Sequence, residues 1–174
     1  NRTMQSKRQP GSAIKPLLYA AGMETGKFNP ASSVLDSPII YLDNDGSDWI
    51  PENYEGSYFG LVRLRKALAL SINVVSIKMA HVIGIDTVMK YYAKLLKFNK
   101  KEKKRRIPRN FSIALGSLEV SPLELTRAYA IIANGGYVDE SSGNSPCGSQ
   151  SCLDQADENK FFDMPSVIEE PWNS

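Results

Sequence analysis

In the stretch VVSIKMAHVIG, the apolar residues Val75, Met79, Val82 and Ile83 fall at i, i+4, i+7 and i+8. That spacing predicts a helix with one buried face, ended by Gly84. The same period runs from residue 12 to 135. IDTVMKYYAKLLKF repeats it, with Asp86 placed to cap the N-terminus and Val88, Tyr91, Tyr92 and Leu95 as the buried stripe. The plainest start signal is SPLELTRAYAIIANGG. There Ser121 is the N-cap, Pro122 takes the first helical position, Glu124 completes a capping box and Gly135 ends the helix. IKPLLYAAGM has few polar positions around its circumference, as expected of a helix buried on most sides. A further helix is predicted over 61–70, just ahead of the one over 74–83.

The span 28–60, with Pro30, Pro38, Pro51 and many Asn, Asp and Gly, reads as a long loop holding a short extended piece at SPIIYL. NFSIALG is the other strand candidate. These two pieces are too little sheet to cover so many apolar helices, so their cover is expected from sequence outside the 174 residues. The first residue is Asn1, which fits a piece of a longer chain with any targeting segment upstream.

Composition, at 42% hydrophobic and 23% charged, is that of a globular domain rather than a disordered chain. No apolar run is long enough for a membrane helix. Charge divides the chain: residues 1–138 hold 20 Lys and Arg against 11 Asp and Glu, whereas 139–174 hold 1 against 8. The acidic part, rich in Ser, Gly and Asp, reads as a loop or linker. It contains both cysteines, Cys147 and Cys152. They could form a local disulfide, implying an oxidising compartment, or remain free thiols; a zinc site would need more partners than the single His81 supplies.

RQPGSAIKP, residues 8–16, carries the candidate chemistry. If a helix begins at Gly11 or Ser12, Pro16 falls in the first turn, where its missing N–H is not needed. Ser12 and Lys15 then share a face at i and i+3, within reach of each other. At a helix N-terminus, free N–H groups and the positive end of the dipole favour an oxyanion formed beside Ser12. Lysine acts as a base only when its pKa is lowered, and Ile14, Leu17 and Leu18 could bury Lys15 to that end. By itself the spacing is common: Ser and Lys are frequent enough for it to recur by chance about once in such a chain.

The context is more specific. RQPGSAIKPLLYAAG resembles the first active-site motif of penicillin-binding proteins, particularly the bifunctional class A proteins that join a glycosyltransferase to a transpeptidase. The second motif, Ser-x-Asn on a turn between helices, is present in ALSINVV as Ser71, Ile72 and Asn73. Ser142, Gly143 and Asn144 spell it again, but in the acidic stretch without flanking helices. WIPENYEGSYFG, LVRLRKALALSIN and SIALGSLEVSPLELTRAYAIIANGG are also similar to this class, so the resemblance covers roughly residues 1–138.

The resemblance implies an α+β serine transpeptidase fold, of which this chain supplies a mostly helical part lacking most of the central antiparallel sheet. It divides the chain into a helical part of the transpeptidase domain, 1–138, and an acidic linker, 139–174. It implies that Ser12 attacks a D-Ala-D-Ala stem peptide, that Lys15 is the base, that Ser71 passes a proton to the leaving amine, and that Asn73 holds the substrate amide and Lys15. Peptidoglycan stem peptides and β-lactams are the implied partners, with no nucleic acid, metal or cofactor. The implied setting is outside the bacterial cytoplasmic membrane, with a tether in upstream sequence. The family's third motif, Lys-Thr-Gly or Lys-Ser-Gly, is absent from the 174 residues. Since that strand forms the opposite wall of the cleft and adds an oxyanion donor, the chain alone is expected to be inactive.

Two alternatives remain at this level. One is a related β-lactamase or D,D-carboxypeptidase with water as acceptor; the other is a non-catalytic module that binds wall material or partner proteins. Tyr54, Tyr58 and Phe59 either line the substrate groove or pack onto the helical body, while Trp49, Pro51 and Asn53 match a family pattern read as structural. KKEKKRR, residues 100–106, reads as a solvated loop, with an anionic wall polymer or lipid head group as a lesser option. His81 reads as a surface or half-buried side chain. Asn110–Ser112 spells a glycosylation acceptor, which a bacterial resemblance discounts.

Overall fold

A computed structural model of the protein describes residues 3, 6–42 and 48–137. The acidic linker, Cys147, Cys152 and the second Ser-x-Asn triplet lie outside the described residues. The described part is a helical body flanked by two short antiparallel ribbons. A 3-10 helix, Gly11–Ile14, runs directly into α1, Lys15–Glu24. After the ribbon strands β1 (Ser33–Asp36), β2 (Tyr41–Leu42), β3 (Asp48–Trp49) and β4 (Gly60–Arg63) come α2 (Leu64–Ala69), α3 (Asn73–Ile83), α4 (Ile85–Leu95) and α5 (Lys100–Arg106). A second 3-10 helix, Phe111–Leu115, precedes α6, Pro122–Ala133. Among the described residues no helix is long and apolar enough to cross a membrane.

Helix α1 is the centre of the body. Every residue from Leu17 to Gly22 is buried, as its apolar circumference requires. It packs on α3 and α4, and α3 in turn packs on the second 3-10 helix. Gly84, at φ 95°, separates α3 from α4. The buried faces differ in detail from the periodic reading. Val82 is exposed, whereas α4 buries Met89 and Ala93 beside Val88, Tyr92 and Leu95, leaving Tyr91 half-buried. Asp86 does not cap α4; Gly84 holds that position, and Asp86 sits in the first turn paired with Arg109.

Four other expectations are corrected. The predicted helix over 61–70 begins only at Leu64, because residues 60–63 pair as a strand with β1, from Ser33↔Arg63 to Asp36↔Gly60. Neither partner is evident locally, since residues 37–59 separate the two strands. NFSIALG is a 3-10 helix closed by Gly116 in the left-handed conformation, not a strand. KKEKKRR is a helix rather than a loop: Asn99 and Glu102 form a reciprocal capping box that sequence reasoning overlooked. Of SPIIYL, only Tyr41 and Leu42 are strand, paired with Trp49 and Asp48.

The last residue of that basic run is its exception. Arg106 is 2% exposed and stacks on Phe98, 3.9 Å from the ring centre. It donates to Glu119 O, to Glu102 and, through both terminal nitrogens, to Glu124. Glu124 also closes the capping box of α6 with Ser121, so one carboxylate ties α5 to the start of α6. Burial alone would raise the Glu124 pKa, but the bonds from Arg106 and Ser121 outweigh it and hold it below the ordinary 4.5.

Glu124→Gln leaves the buried Arg106 guanidinium with only the longer Glu102 contact as its counter-charge and should cost about 2 kcal/mol at pH 7, measured by urea unfolding of the natural chain that carries these residues. Because the folded pKa is depressed, the parent's advantage is complete above about pH 4.5 and fades as pH falls through the folded value. Parent and variant curves should therefore converge in acid. Equal midpoints at pH 7 would refute this account.

Candidate active site

Ser12 lies in the turn ahead of α1 and is exposed, while Lys15, three residues on, is 1% exposed. Gly11 enters the turn at φ 57°, a left-handed conformation that glycine adopts without strain. Pro16 sits in the first turn of α1, where no N–H is required. Ile14, Leu17 and Leu18, its neighbours in sequence, are fully buried. Ser12 N–H has no hydrogen-bond partner among the described residues, which leaves it free to donate to an oxyanion.

The second motif forms where α2 ends. Ser71 N–H donates to Leu68 O and Ile72 N–H to Ala67 O, the two bonds of a Schellman termination. That motif places its first residue beyond the cap in the left-handed region, where glycine is usual; here it is Ser71, at φ 53°. Ile72 turns inward, 3% exposed, and α3 starts at Asn73. Ser71 thus holds a conformation that glycine would adopt without strain, as Lys97 does at φ 54°.

Lys15 meets this turn with all three of its protons. Its Nζ donates to Ser71 O at 2.6 Å, to Ser71 Oγ at 3.0 Å and to Asn73 Oδ1 at 2.7 Å. No carboxylate is among these partners. Burial therefore lowers the Lys15 pKa from 10.5 to about 8, since the neutral acceptors replace only part of the hydration that the ammonium has lost. The expected direct contact between Lys15 and Ser12 is not formed. The Ser12 hydroxyl has no hydrogen bond among the described residues, while Lys15, one turn away, points at the second motif. Sequence spacing placed the lysine on the right face, but its partners come from a turn 56 residues later.

The turn that carries Ser12 is held by residues more than a hundred positions later. Gly116, at φ 88°, packs so closely that a Cβ there would lie 2.2 Å from Gly11 O, and Tyr129 Oη donates to Ala13 O at 2.8 Å. Arg8 and Val120 exchange backbone hydrogen bonds just before it. The sequence signals were slight: a glycine after NFSIAL and a tyrosine on an amphipathic helix. Asn53, read as structural, is bonded to the start of α3, with Oδ1 accepting from Asn73 N–H at 3.1 Å. Tyr54, Tyr58 and Phe59 are all on the surface. No hydrogen bond joins these rings to Ser12, Lys15, Ser71 or Asn73, and Lys66 lies 5.9 Å over Phe59. His81 is exposed, its ring against Tyr41 and Phe111.

A buried lysine is thus bound to a Ser-x-Asn turn, one helical turn from an exposed serine. Penicillin-binding protein 1A of Pseudomonas aeruginosa is 42% identical over 138 residues, which is 79% of this chain and 16% of that protein. Penicillin-binding protein 1A of Neisseria meningitidis is 39% identical over 139 residues. The chain thus spans about a sixth of the length of these relatives. Among solved structures, penicillin-binding protein 1A from Haemophilus influenzae matches with a TM-score of 0.72 at 36% identity, over 79% of this chain and 20% of that one. An imipenem acyl-enzyme of penicillin-binding protein A from M. tuberculosis shares the fold at 22% identity and a TM-score of 0.66, over 79% and 35% of the two chains. The two ribbons and the helical body are accordingly part of an α+β fold. With residues 1–142 matching the penicillin binding protein transpeptidase domain and these relatives sharing both sequence and fold, the chain belongs to the penicillin-binding protein transpeptidase family.

Proposed function

We propose that this chain carries the nucleophile and base of a peptidoglycan D,D-transpeptidase, a serine acyl transferase that β-lactams block. The observation that carries the reading is Lys15: buried, lacking a carboxylate partner, and held on the second motif one turn from an exposed serine. A lysine whose pKa lies near 8 is neutral often enough to serve as a base at physiological pH. In acylation, Ser12 Oγ bonds to the carbonyl carbon of the penultimate D-alanine as its proton passes to Lys15 Nζ. The Ser12 N–H supports the oxyanion. Collapse breaks the C–N bond to the terminal D-alanine, and the proton reaches the leaving amine through Ser71 Oγ. An amine of a second stem peptide then takes the acyl group and frees Ser12.

Asn73 supplies its Oδ1 to Lys15 and can offer an amide proton to the substrate. The imipenem acyl-enzyme of the M. tuberculosis relative supports the β-lactam part of the reading. In the family the opposite wall carries a Lys-Thr-Gly or Lys-Ser-Gly strand with a second oxyanion donor, and neither triplet occurs in these 174 residues. The same reading places the work outside the cytoplasmic membrane, on a tethered protein, with Tyr54, Tyr58 and Phe59 facing the substrate side.

Intact mass of the natural chain after incubation with benzylpenicillin should show one stable adduct, absent in Ser12→Ala. No adduct in a folded parent would overturn the reading, and rapid loss of the adduct would indicate a hydrolase instead. The acylation rate should rise with pH through about 8, as Lys15 loses its proton, and fall about a thousandfold in Lys15→Ala. A flat pH profile would remove Lys15 as the base.

Ser71→Gly separates chemistry from stability. Relief of a left-handed residue is worth about 1–2 kcal/mol, against about 0.5–1 kcal/mol for the freedom of glycine in the unfolded chain. Loss of the Oγ that accepts from buried Lys15 costs about 1.5 kcal/mol in return, so the unfolding midpoint should stay near the parent's while acylation falls about a hundredfold. Unchanged acylation would mean that the hydroxyl carries no proton.

A further inference from the structure

Helix α3 starts without a cap of its own. Its N-cap residue, Ile72, offers no side-chain hydrogen bond, for a reason that lies in α2. As the last residue of the Schellman termination, Ile72 is apolar and buried to close that motif against the core. A Ser, Thr, Asp or Asn cannot occupy the position without losing this contact. Yet Val74, whose N–H is one of those left over at the helix start, is fully buried and cannot rely on water.

The missing acceptor comes from about twenty residues upstream. Asn53 Oδ1 accepts from the N–H groups of both Asn73, at 3.1 Å, and Val74, at 3.2 Å. The orientation of the Asn53 amide follows from its surroundings. Its Nδ2 donates to both oxygens of Asp36, each at 3.0 Å, and to Ser57 O at 2.9 Å. A carboxylate and a carbonyl only accept, and a helix N-terminus only donates, so the amide fits one way round. Asp36 is itself fully buried at the end of β1 and takes the Phe59 N–H at 2.9 Å.

The neighbouring residue holds the other half of Asn73. Glu52 O accepts from Asn73 Nδ2 at 3.0 Å, which turns Asn73 Oδ1 toward Lys15 Nζ, 2.7 Å away. The dipeptide Glu52-Asn53 thus grips Asn73 by backbone and side chain together.

We propose that Asn53 is a positioning residue for acyl transfer: it caps α3 from outside the helix so that Asn73 keeps its carbonyl oxygen on Lys15, and Asp36 sets the direction in which Asn53 points. This rests on the assignment of Ser12 and Lys15 as nucleophile and base. Asn53 touches neither, so its effect passes through Asn73.

The test is the second-order rate of acylation by a fluorescent penicillin, measured across pH on the natural full-length chain, with thermal unfolding alongside. Asn53→Ala should lower the rate about a hundredfold, the effect of a displacement near 1 Å at a reacting group. Its pH midpoint should also move below that of the parent, because Lys15 loses one of the acceptors that favour its charged form. The pair Asp36→Asn with Asn53→Asp exchanges amide and carboxylate while keeping an acceptor on α3 and a donor between the two side chains. Because the exchange also sets a carboxylate oxygen against Ser57 O, it should recover only part of the loss, to within about thirtyfold of the parent rate, and it carries the test if Asn53→Ala does not fold. Acylation of Asn53→Ala at the parent rate and pH midpoint would overturn the proposal, as would a folded pair variant no faster than Asn53→Ala. A folded parent that is not acylated at all would instead overturn the assignment of Ser12 and Lys15, and this proposal with it.

Discussion

A lysine ammonium in the middle of the protein, satisfied by three neutral oxygens and no counter-charge, is the constraint on which the rest of the site depends. A carboxylate in place of any of these acceptors would stabilise the charge and raise the pKa, leaving a structural ion pair. Water in their place would restore an ordinary surface lysine. The arrangement between these extremes needs a carbonyl, a hydroxyl and an amide oxygen held within hydrogen-bond distance of one nitrogen. It also needs burial, and Lys15 is 1% exposed.

Holding those oxygens shapes the architecture around them. Two of the three belong to Ser71, which delivers both its carbonyl and its hydroxyl from a left-handed backbone at the end of α2. The third belongs to Asn73, whose orientation is taken from the loop at Glu52 and Asn53. Through Asp36 that loop is continuous with the β1–β4 ribbon. A second support runs from the other side, where Gly116 and Tyr129 fix the turn that carries Ser12. Both supports are polar or close-packed rather than merely apolar, and such contacts tolerate little displacement. The Arg106–Glu124 tie lies further out, where it secures the start of the helix that bears Tyr129.

Much of this was legible in the chain itself. The helices over 73–83, 85–95 and 122–133 follow from apolar period and local stop and start signals, because a helix satisfies its backbone within a few residues. Where a capping box was noticed, at Ser121 and Glu124, the boundary was right; where the same device was passed over, at Asn99 and Glu102, a helix was taken for a loop. The β1–β4 pairing escaped because half of it lies in a stretch whose prolines and glycines resemble loop, and strand partners are chosen by packing across the chain. The two motifs were found by spacing and neighbouring sequence, and the structure brings Lys15, Ser71 and Asn73 together.

What the sequence by itself determined, then, is most of what depends on residues within about a turn of each other: the long helices, the capping boxes of α5 and α6, the serine and lysine on one face, and the second motif on a turn. Only the tertiary structure decided where Lys15 points, why Ser71 tolerates a strained backbone, and that α3 is capped by Asn53. Those outcomes depend on groups separated by some twenty to more than a hundred residues, brought together when the apolar faces of α1, α3 and α4 are buried. Burial then demands that each enclosed polar atom find a partner, and which partner is in reach is a property of the packed body rather than of any local pattern.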